Sequence, residues 1–349
     1  MLNSTTAPRA EIIGRVNTQH SIPDSTFIGE VIGKHHNIPD ITSCSFFYEG
    51  SNDIYKIETS QEIYFARLTR HGKRSLASIN SEIEILLELS KSVPNISTPL
   101  RSPNSGPTLS LATPEGIRYL NLFTEAKGQT ANNLTLNQLK EIGRTLGAIH
   151  SASDLIPRHS ALPSFNLDTC ISQGASSIYK FLRNDSEIRK HSFFFQSLAI
   201  KLRKLFGSFE LSSLPYGIIH GDFVSCNLHL KTDGSVSVFD FDRIGYGWRA
   251  YEVGAYLGHL ASYSFKFGEK VNFSQLTEAF LKGYESKTDF SKTEKSLIPL
   301  FHLMRRLWIL GVCCDNHEDW SHSFLNTKSW ETEVTKLKKW TTNFQIFKF

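Results

Sequence analysis

The sequence predicts an α+β protein with a small, antiparallel, β-rich amino-terminal lobe and a larger, mainly helical carboxy-terminal lobe. Two observations lead to this prediction. Short aromatic and β-branched runs between residues 45 and 69, separated by turn residues, are typical of strands. From residue 136 onward, apolar residues recur mostly at helical spacing. The 349 residues are enough for two domains that share a cleft.

The amino-terminal lobe is predicted over residues 21–125, after a polar and poorly ordered lead at residues 1–20. A helix in this lobe, at residues 78–90, has one apolar face that includes Ile79 and Ile83. The predicted elements are helices at 24–37 and 78–90 and strands at 45–48, 54–57, 62–69, 108–112 and 117–123.

The carboxy-terminal lobe is predicted over residues 126–349. Its first helix, at residues 136–151, is amphipathic, with Leu139 and Ile142 on the inward face. Residues 152–215 form an insertion with two or three helices. Further helices are predicted at 253–265, 273–284 and 295–313, followed by a tail that contains Trp320, Trp330 and Trp340.

The charge balance excludes some partners. The formal charge of +4 and the pI near 8.7 are mildly basic, and no Lys/Arg run is long enough for a nucleic-acid-binding arm. A positive net charge disfavours a polycationic substrate and favours a neutral or zwitterionic one. Arg305 and Arg306 interrupt an apolar helix, and the sequence leaves three arrangements open for them. They pair with buried carboxylates, they face the cleft, or they lie at the surface with their aliphatic stems along apolar atoms and their charges in water.

The cysteines and the hydropathy pattern indicate a cytoplasmic protein without a membrane partner. The five cysteines lack the spacing of a metal site, and Cys226 is interpreted as a small loop residue rather than a nucleophile. Residues 1–17 have no apolar signal-peptide core. The longest apolar stretch, at residues 307–314, is too short to cross a membrane.

The most informative stretch is residues 216–242, which is interpreted as two short strands around a loop. The loop contains Asp222 and, five residues later, Asn227. A hairpin turn at residues 232–234 should return Asp240 to the same place. The sequence therefore predicts that two carboxylates and one carboxamide meet at one site.

This trio suits phosphoryl transfer from a nucleoside triphosphate. Magnesium neutralises and orients the phosphates, and it prefers a few hard oxygen ligands, which Asn227 and Asp240 supply. Asp222 is then left to orient the attacking hydroxyl and to accept its proton.

The motif resembles the catalytic loop of the kinase superfamily, in which an Asp and an Asn have the same spacing and a metal-binding Asp follows a hairpin. The whole pattern, from His220 and Gly221 to Asp242, is similar to the aminoglycoside phosphotransferase and choline kinase-like family, which phosphorylates small molecules on a bilobal, protein-kinase-like fold. Two differences from protein kinases stand out. Gly221 replaces an Arg, and only nine residues separate Asp242 from Glu252, too few for an activation segment.

The resemblance implies a nucleotide site in the amino-terminal lobe. The hairpin turn with Gly50, Ser51 and Asn52 corresponds to the loop that covers the phosphates. Arg67, on the third strand, corresponds to the residue that holds the α and β phosphates, and Glu82 on the following helix is its expected partner. Residues Glu84 and Glu88 are alternatives to Glu82, and residues 124–128 correspond to the hinge that meets the adenine.

Three further residues have roles that the resemblance leaves open. Glu252 stands where the family has an Asp that braces the catalytic loop, and a longer carboxylate could still do so. Asp242 either touches a second metal or water or accepts a backbone hydrogen bond. His150, at the end of the helix beneath the loop, is interpreted as a structural hydrogen-bonding residue.

Together these features predict a kinase that uses ATP and Mg²⁺ to phosphorylate a hydroxyl of a small molecule, such as an aminoglycoside-type antibiotic, an amino alcohol or homoserine. Asp222 is the predicted catalytic residue. A protein kinase is the first alternative, and a nucleotide-binding scaffold without activity is the second. The sequence does not choose the acceptor or the oligomeric state.

Overall fold

The computed structural model describes residues 18–103, 106–131, 134–267, 273–321 and 325–347, with the backbone alone for residues 262–267. Residues 1–17 of the predicted lead lie outside this part of the chain. The last residue of that lead, His20, is held in place, because a ring nitrogen lies 2.8 Å from the carboxylate of Asp53.

The amino-terminal part is an antiparallel sheet in which the strand order is β1-β2-β3-β6-β4, with β5 also paired to β6. Helix α1 (Ser25–His36) packs against it, and Ile28 and Ile32 share a core with Tyr55 and Ile57. The strands are β1 Ile41–Glu49, β2 Asn52–Thr59, β3 Ile63–Thr69, β4 Pro99–Leu100, β5 Leu109–Thr113 and β6 Gly116–Thr124.

Helix α2 (Leu76–Leu89) connects this sheet to the rest of the molecule. It begins two residues before the predicted start, because the side chain of Ser75 caps it by accepting a hydrogen bond from the backbone N–H of Ser78 at 3.1 Å. Ile79 and Ile83 are fully buried, as their spacing predicts, and belong to the large core of the helical part.

The rest of the chain is mostly helical. Among the described residues, α3 packs against α7, and α8 packs against both α4 and α6. The cap of α3 is reciprocal, since Thr135 and Gln138 each accept a hydrogen bond from the other's backbone. The helices are α3 Leu136–Ser153, α4 Gly174–Leu182, α5 Ser192–Phe206, α6 Arg249–Phe267, α7 Phe273–Tyr284, α8 Lys292–Asp315 and α9 Thr327–Asn343.

Two short sheets hold the motif-bearing stretch. In one, β7 (Gln129–Thr130), β10 (Leu228–Leu230) and β11 (Val236–Val238) pair in the order β11-β10-β7. In the other, β8 (Ser164–Phe165) and β9 (Tyr216–Ile219) flank β12 (Gly245–Trp248). The predicted hairpin is therefore present, with residues 231–235 as its loop.

The prediction of a tail after residue 313 is wrong, because residues Thr327–Asn343 form helix α9. The side chain of Asn326 caps its start, and Trp330, Val334, Leu337 and Trp340 are buried along one face. Their spacings of four, three and three residues are helical, so the sequence contained the signal. The tryptophans alone do not show this pattern, which the aliphatic residues between them complete.

The expectation about apolar stretches also needs correction. Helix α8 has 24 residues and is long and apolar enough to cross a membrane by length and composition alone. However, 67 % of its apolar window is buried inside the protein, against α4 and α6. The central helix of a globular core has the same properties, so this length carries no evidence for a membrane location.

Candidate active site

Asp222 and Asn227 lie in one tight loop between β9 and β10. The side-chain N–H of Asn227 donates to the backbone oxygen of Asp222 at 2.9 Å. This bond fixes the distance between the two residues and leaves the amide oxygen of Asn227 without a hydrogen bond among the described residues. Asn227 is buried, whereas the side chain of Asp222 is partly exposed.

Asp240 follows β11 and has a left-handed backbone, with φ of 61°. Its side chain is exposed, although neighbouring protein atoms displace part of its hydration, and no described residue donates a hydrogen bond to it. This desolvation, followed by the negative charge of Asp242, raises its pKa well above the ordinary value. A carboxylate that lacks donors and faces other carboxylates is a suitable ligand for a cation.

Asp242 receives the tip of the β1–β2 hairpin. The hydroxyl of Ser51 and the side-chain N–H of Asn52 both donate to its Oδ2, at 3.2 and 3.0 Å. Burial would raise the pKa of Asp242, but Arg243 and Arg67 lower it below its usual value. The predicted nucleotide-covering loop is therefore in direct contact with the segment that follows the predicted metal ligand Asp240.

Arg67 and Glu82 form a buried, bidentate ion pair. The two guanidinium N–H groups lie 2.8 and 2.9 Å from the two carboxylate oxygens, and both side chains are almost completely buried. Arg74 also pairs with Glu82. The alternatives are excluded, since Glu84 faces His159 on the other side and Glu88 pairs with Lys91.

Glu252 braces the catalytic loop from the first turn of α6. Its carboxylate accepts the backbone N–H groups of His220 at 2.9 Å and Gly221 at 2.6 Å, and it lies 3.0 Å from Nε2 of His150. All of these groups are buried. The longer side chain therefore fills the bracing role, and burial raises its pKa above the usual value.

His150 is structural, as predicted. Burial and the positive charge of Arg249 lower its pKa well below the usual value, so the ring is neutral. Its Nδ1 lies 2.7 Å from the hydroxyl of Tyr284. A neutral ring satisfies both contacts when Nε2 donates to Glu252 and Nδ1 accepts from Tyr284.

Gly221 is required by the backbone. Its φ is 80°, and a Cβ at this position would lie 2.1 Å from the backbone oxygen of Arg243. An arginine, as in protein kinases, could not occupy this position without moving the strand that follows Asp242.

Arg305 pairs with a carboxylate of the site, one of the arrangements that the sequence leaves open for it. From the middle of α8 it forms an ion pair with Oδ1 of Asp222, and its side chain is only 8 % exposed. Its second terminal nitrogen is buried without a hydrogen bond. Arg306 instead pairs with Glu333 of α9 at 2.7 Å. The two adjacent arginines therefore have different partners, a distinction that depends on which face of α8 each occupies.

A cavity of about 480 Å³ opens beside Asp242 and continues between α2, α8 and the segment that precedes α4. Arg243 and Trp308 form part of its wall, and the guanidinium of Arg243 lies 5.6 Å from the centre of the Trp308 ring. The lining also includes Ser51, Asn52, Lys73, Arg74 and Asn316.

Two smaller predictions concern the rim of the site. The β10–β11 hairpin holds the predicted hinge, residues 124–128, through two side chains. Ser237 donates to the backbone oxygen of Lys127 at 2.7 Å, and a ring nitrogen of His229 lies 2.6 Å from the backbone oxygen of Ala126. Cys226 is exposed, but partial desolvation, followed by the negative charge of Asp222, raises the pKa of its thiol to about 11. The thiol is therefore protonated at neutral pH, and a nucleophilic role is disfavoured.

Comparisons with known proteins agree with this geometry. A family model described as a phosphotransferase enzyme family matches residues 48–292, well over half of the chain. An uncharacterized protein of Synechocystis sp. is 26 % identical over 91 % of this chain and 86 % of its own length. The amicoumacin kinase of Bacillus subtilis is 24 % identical over 76 % and 78 % of the respective chains.

Solved structures show the same fold. An amicoumacin kinase in complex with AMP-PNP, Ca²⁺ and Ami is similar with a TM-score of 0.70 and 17 % identity, covering 92 % of this chain and 94 % of that chain. A microcompartment-associated aminopropanol kinase follows with a TM-score of 0.69 and 19 % identity, covering 92 % and 96 %. The chain belongs to the phosphotransferase enzyme family, which confirms the predicted kinase-like fold and the predicted class of enzyme, a small-molecule kinase.

Proposed function

We propose that this protein transfers the γ-phosphate of ATP to a hydroxyl group of a small molecule. The observation that carries the proposal is the convergence of Asp222, Asn227 and Asp240, opposite the buried pair of Arg67 and Glu82. A non-catalytic scaffold would need no arrangement of this kind. The similar amicoumacin kinase structure, which contains AMP-PNP, supports a nucleotide as the second substrate.

The residues at the base of the cleft fit a magnesium ion. Asp240 and Asn227 offer hard oxygen atoms without other donors, and bound phosphates and water would complete the coordination shell. When bound, the ion would neutralise charge on the transferred phosphoryl group. Among the described residues, no group of three or more His, Cys, Asp or Glu side chains is placed to hold a metal ion.

The remaining roles follow from the contacts. Arg67, fixed by both oxygens of Glu82, presents its charge toward the α and β phosphates. The hairpin tip with Gly50, Ser51 and Asn52 covers these phosphates. To do so, Ser51 and Asn52 exchange their present hydrogen bonds to Asp242 for contacts with the nucleotide. Asp222 orients the acceptor hydroxyl with the carboxylate oxygen that Arg305 does not engage, and it takes the proton as the phosphoryl group is transferred.

The organisation of the chain is part of the proposal. We place the boundary between the nucleotide-binding and the acceptor-binding lobes near residue 125, where β6 ends and the hinge begins. We also propose a cytoplasmic enzyme that acts without nucleic acid or membrane, since ATP is its phosphate donor.

The test is ADP release from Mg·ATP with pooled acceptors: aminoglycosides, macrolides, amino alcohols, homoserine and simple sugars. Release that depends on one pool and disappears in Asp222→Asn would support the proposal. Phosphate that appears only on added proteins would favour a protein kinase. The absence of both ADP release and stabilisation by Mg·ATP would favour a scaffold.

Two variants separate the proposed roles. Asp222→Asn should abolish turnover but keep the rise in melting temperature that Mg·ATP causes. Asp240→Asn should weaken the metal-dependent part of nucleotide binding. If Asp222→Asn also lost nucleotide binding, the division between catalytic and metal-binding residues would be wrong.

A further inference from the structure

We infer that the cavity beside Asp242 is the acceptor site and that its acceptor carries an oxyanion, a carboxylate or phosphate, recognised by Arg243. This inference rests on the proposed function and specifies its substrate class. Of the lining residues, Lys73, Arg74 and Arg243 are cationic, whereas Asp242 is the single carboxylate.

The three cations differ in how far their charge is compensated. Lys73 lies 3.1 Å from Asp319, and Arg74 pairs with Glu82. Among the described residues Arg243 is the most loosely paired of the three, because its carboxylate partner, Oδ1 of Asp242, lies 3.8 Å from its Nε, beyond hydrogen-bond distance.

Within the described residues, the guanidinium of Arg243 makes no hydrogen bond, although its side chain is only 24 % exposed. This planar fork of N–H donors is half-buried and open to solvent, and its geometry matches a carboxylate or phosphate. Asp242 is the carboxylate beside this fork: its Oδ2 already accepts bonds from Ser51 and Asn52, and its Oδ1 lies 3.8 Å from Nε of Arg243.

The aromatic wall argues against a cationic acceptor. Tryptophan faces attract ammonium groups, and an open Trp308 could have bound an amino alcohol in this way. Here two guanidinium groups already lie over the ring, Arg305 at 4.5 Å and Arg243 at 5.6 Å from its centre. A third cation would be repelled by both arginines and would gain little from the ring.

The position of the cavity suits transfer to a hydroxyl at the other end of the acceptor. Trp308 lies three residues after Arg305 on α8, so the two side chains share one face of the helix. Arg305 in turn holds Asp222. An acceptor anchored on Arg243 therefore extends along Trp308 toward the catalytic carboxylate.

The experiment measures ADP release and thermal stabilisation with four acceptor classes: a pool of hydroxy acids with three to six carbons, glycerol 3-phosphate, glycerol and ethanolamine. Turnover with the hydroxy acids or with glycerol 3-phosphate is expected, and the active member of this pair identifies the oxyanion. Turnover with glycerol or ethanolamine alone would overturn the inference. So would the absence of any stabilisation by both oxyanion probes in the presence of AMP-PNP.

Variants of Arg243 locate the effect. Arg243→Met should raise the KM for the oxyanion acceptor by about 10- to 100-fold, because a charge-assisted bidentate contact is lost. Arg243→Lys, which keeps the charge but not the fork, should recover part of it. Stabilisation by Mg·ATP should persist in both. Arg144→Met, on the exposed face of α3 where Arg144 pairs only with Glu141, is the matched control and should leave the acceptor KM unchanged.

Two results would separate this inference from the proposed function. If Arg243→Met lowered kcat or weakened nucleotide binding without raising the acceptor KM, Arg243 would act on the nucleotide and the inference would be wrong. If an oxyanion acceptor stabilised the protein through Arg243 but no ADP were released, the binding site would stand and the proposed kinase activity would fail.

Discussion

Replacement of Glu252 by glutamine tests whether the catalytic loop depends on this carboxylate. The side chain keeps its size, but one of its oxygens becomes a donor. The amide oxygen can still accept from His220 and His150 if it takes the position of Oε2. The N–H of Gly221, now 2.6 Å from its acceptor, then faces an NH₂ group and loses its partner.

The magnitude follows from these contacts. A hydrogen bond to a charged group contributes about 1.5–3 kcal/mol, and a stranded buried N–H carries a cost of similar size, so the variant should lose about 2–4 kcal/mol of stability. In a protein of this size that corresponds to a melting temperature lower by roughly 3–5 °C. Because the displaced N–H lies next to Asp222, kcat should fall by about 10- to 100-fold.

The assay combines thermal unfolding with steady-state kinetics at a temperature where every variant is folded. Glu333→Gln is the matched control, since Glu333 is a buried glutamate whose partner, Arg306, lies away from the catalytic loop. It should lower the melting temperature and leave kcat unchanged. If Glu252→Gln kept kcat within twofold of wild type, the bracing role would be refuted, whatever happened to its stability.

Three further outcomes are expected. Arg305→Met should lower kcat by about 10- to 100-fold and retain the stabilisation by Mg·ATP. Arg305→Lys should restore part of the rate, because the lysine can still hold Asp222. A change confined to the KM for ATP would contradict this positioning role. Burial, then Arg306, lowers the pKa of His259 to about 4. As the pH falls, the imidazole of His259 is protonated in the unfolded chain before it is protonated in the folded protein. The folded state therefore loses about 2 kcal/mol of stability between pH 7.5 and pH 5. In urea unfolding, His259→Gln should reduce that loss, and identical pH dependence would contradict it. Arg118→Met removes the fully buried guanidinium that pairs with Asp53 and leaves that carboxylate with the contacts of His20 and Arg70. It should cost about 3–5 kcal/mol in the same assay while leaving kcat intact, and unchanged stability would contradict this estimate.

The catalytic motif could be predicted because its geometry is local. Asp222 and Asn227 are five residues apart in one loop, and a hairpin of fixed length returns Asp240. The pairing of Arg67 with Glu82 was also predictable, since a strand and the helix that follows it have few ways to meet. Glu84 and Glu88 were separated from Glu82 only by the helix face that each occupies.

The partner of Asp222 could not be predicted from the sequence. Arg305 is 83 residues away, and its neighbour Arg306 has the same chemistry. Which of them reaches the catalytic loop depends on how α8 is rotated against α4 and α6, a property of packing between helices that are distant in the chain. Helix α9 was missed for a simpler reason, because its aliphatic residues Val334 and Leu337 complete a pattern that the tryptophans alone do not show.

Helix α8 supports both the proposed catalytic base and the wall of the proposed acceptor cavity. One of its turns carries Arg305, which holds Asp222, and the next carries Trp308, which lines the cavity. A substitution that reshapes the cavity wall will therefore also shift the carboxylate that aims at the hydroxyl. Evolution toward a new acceptor is constrained by this shared support: variants with broader specificity should first arise on the opposite wall, near Lys73 and Arg74, where the pocket can change without moving the base.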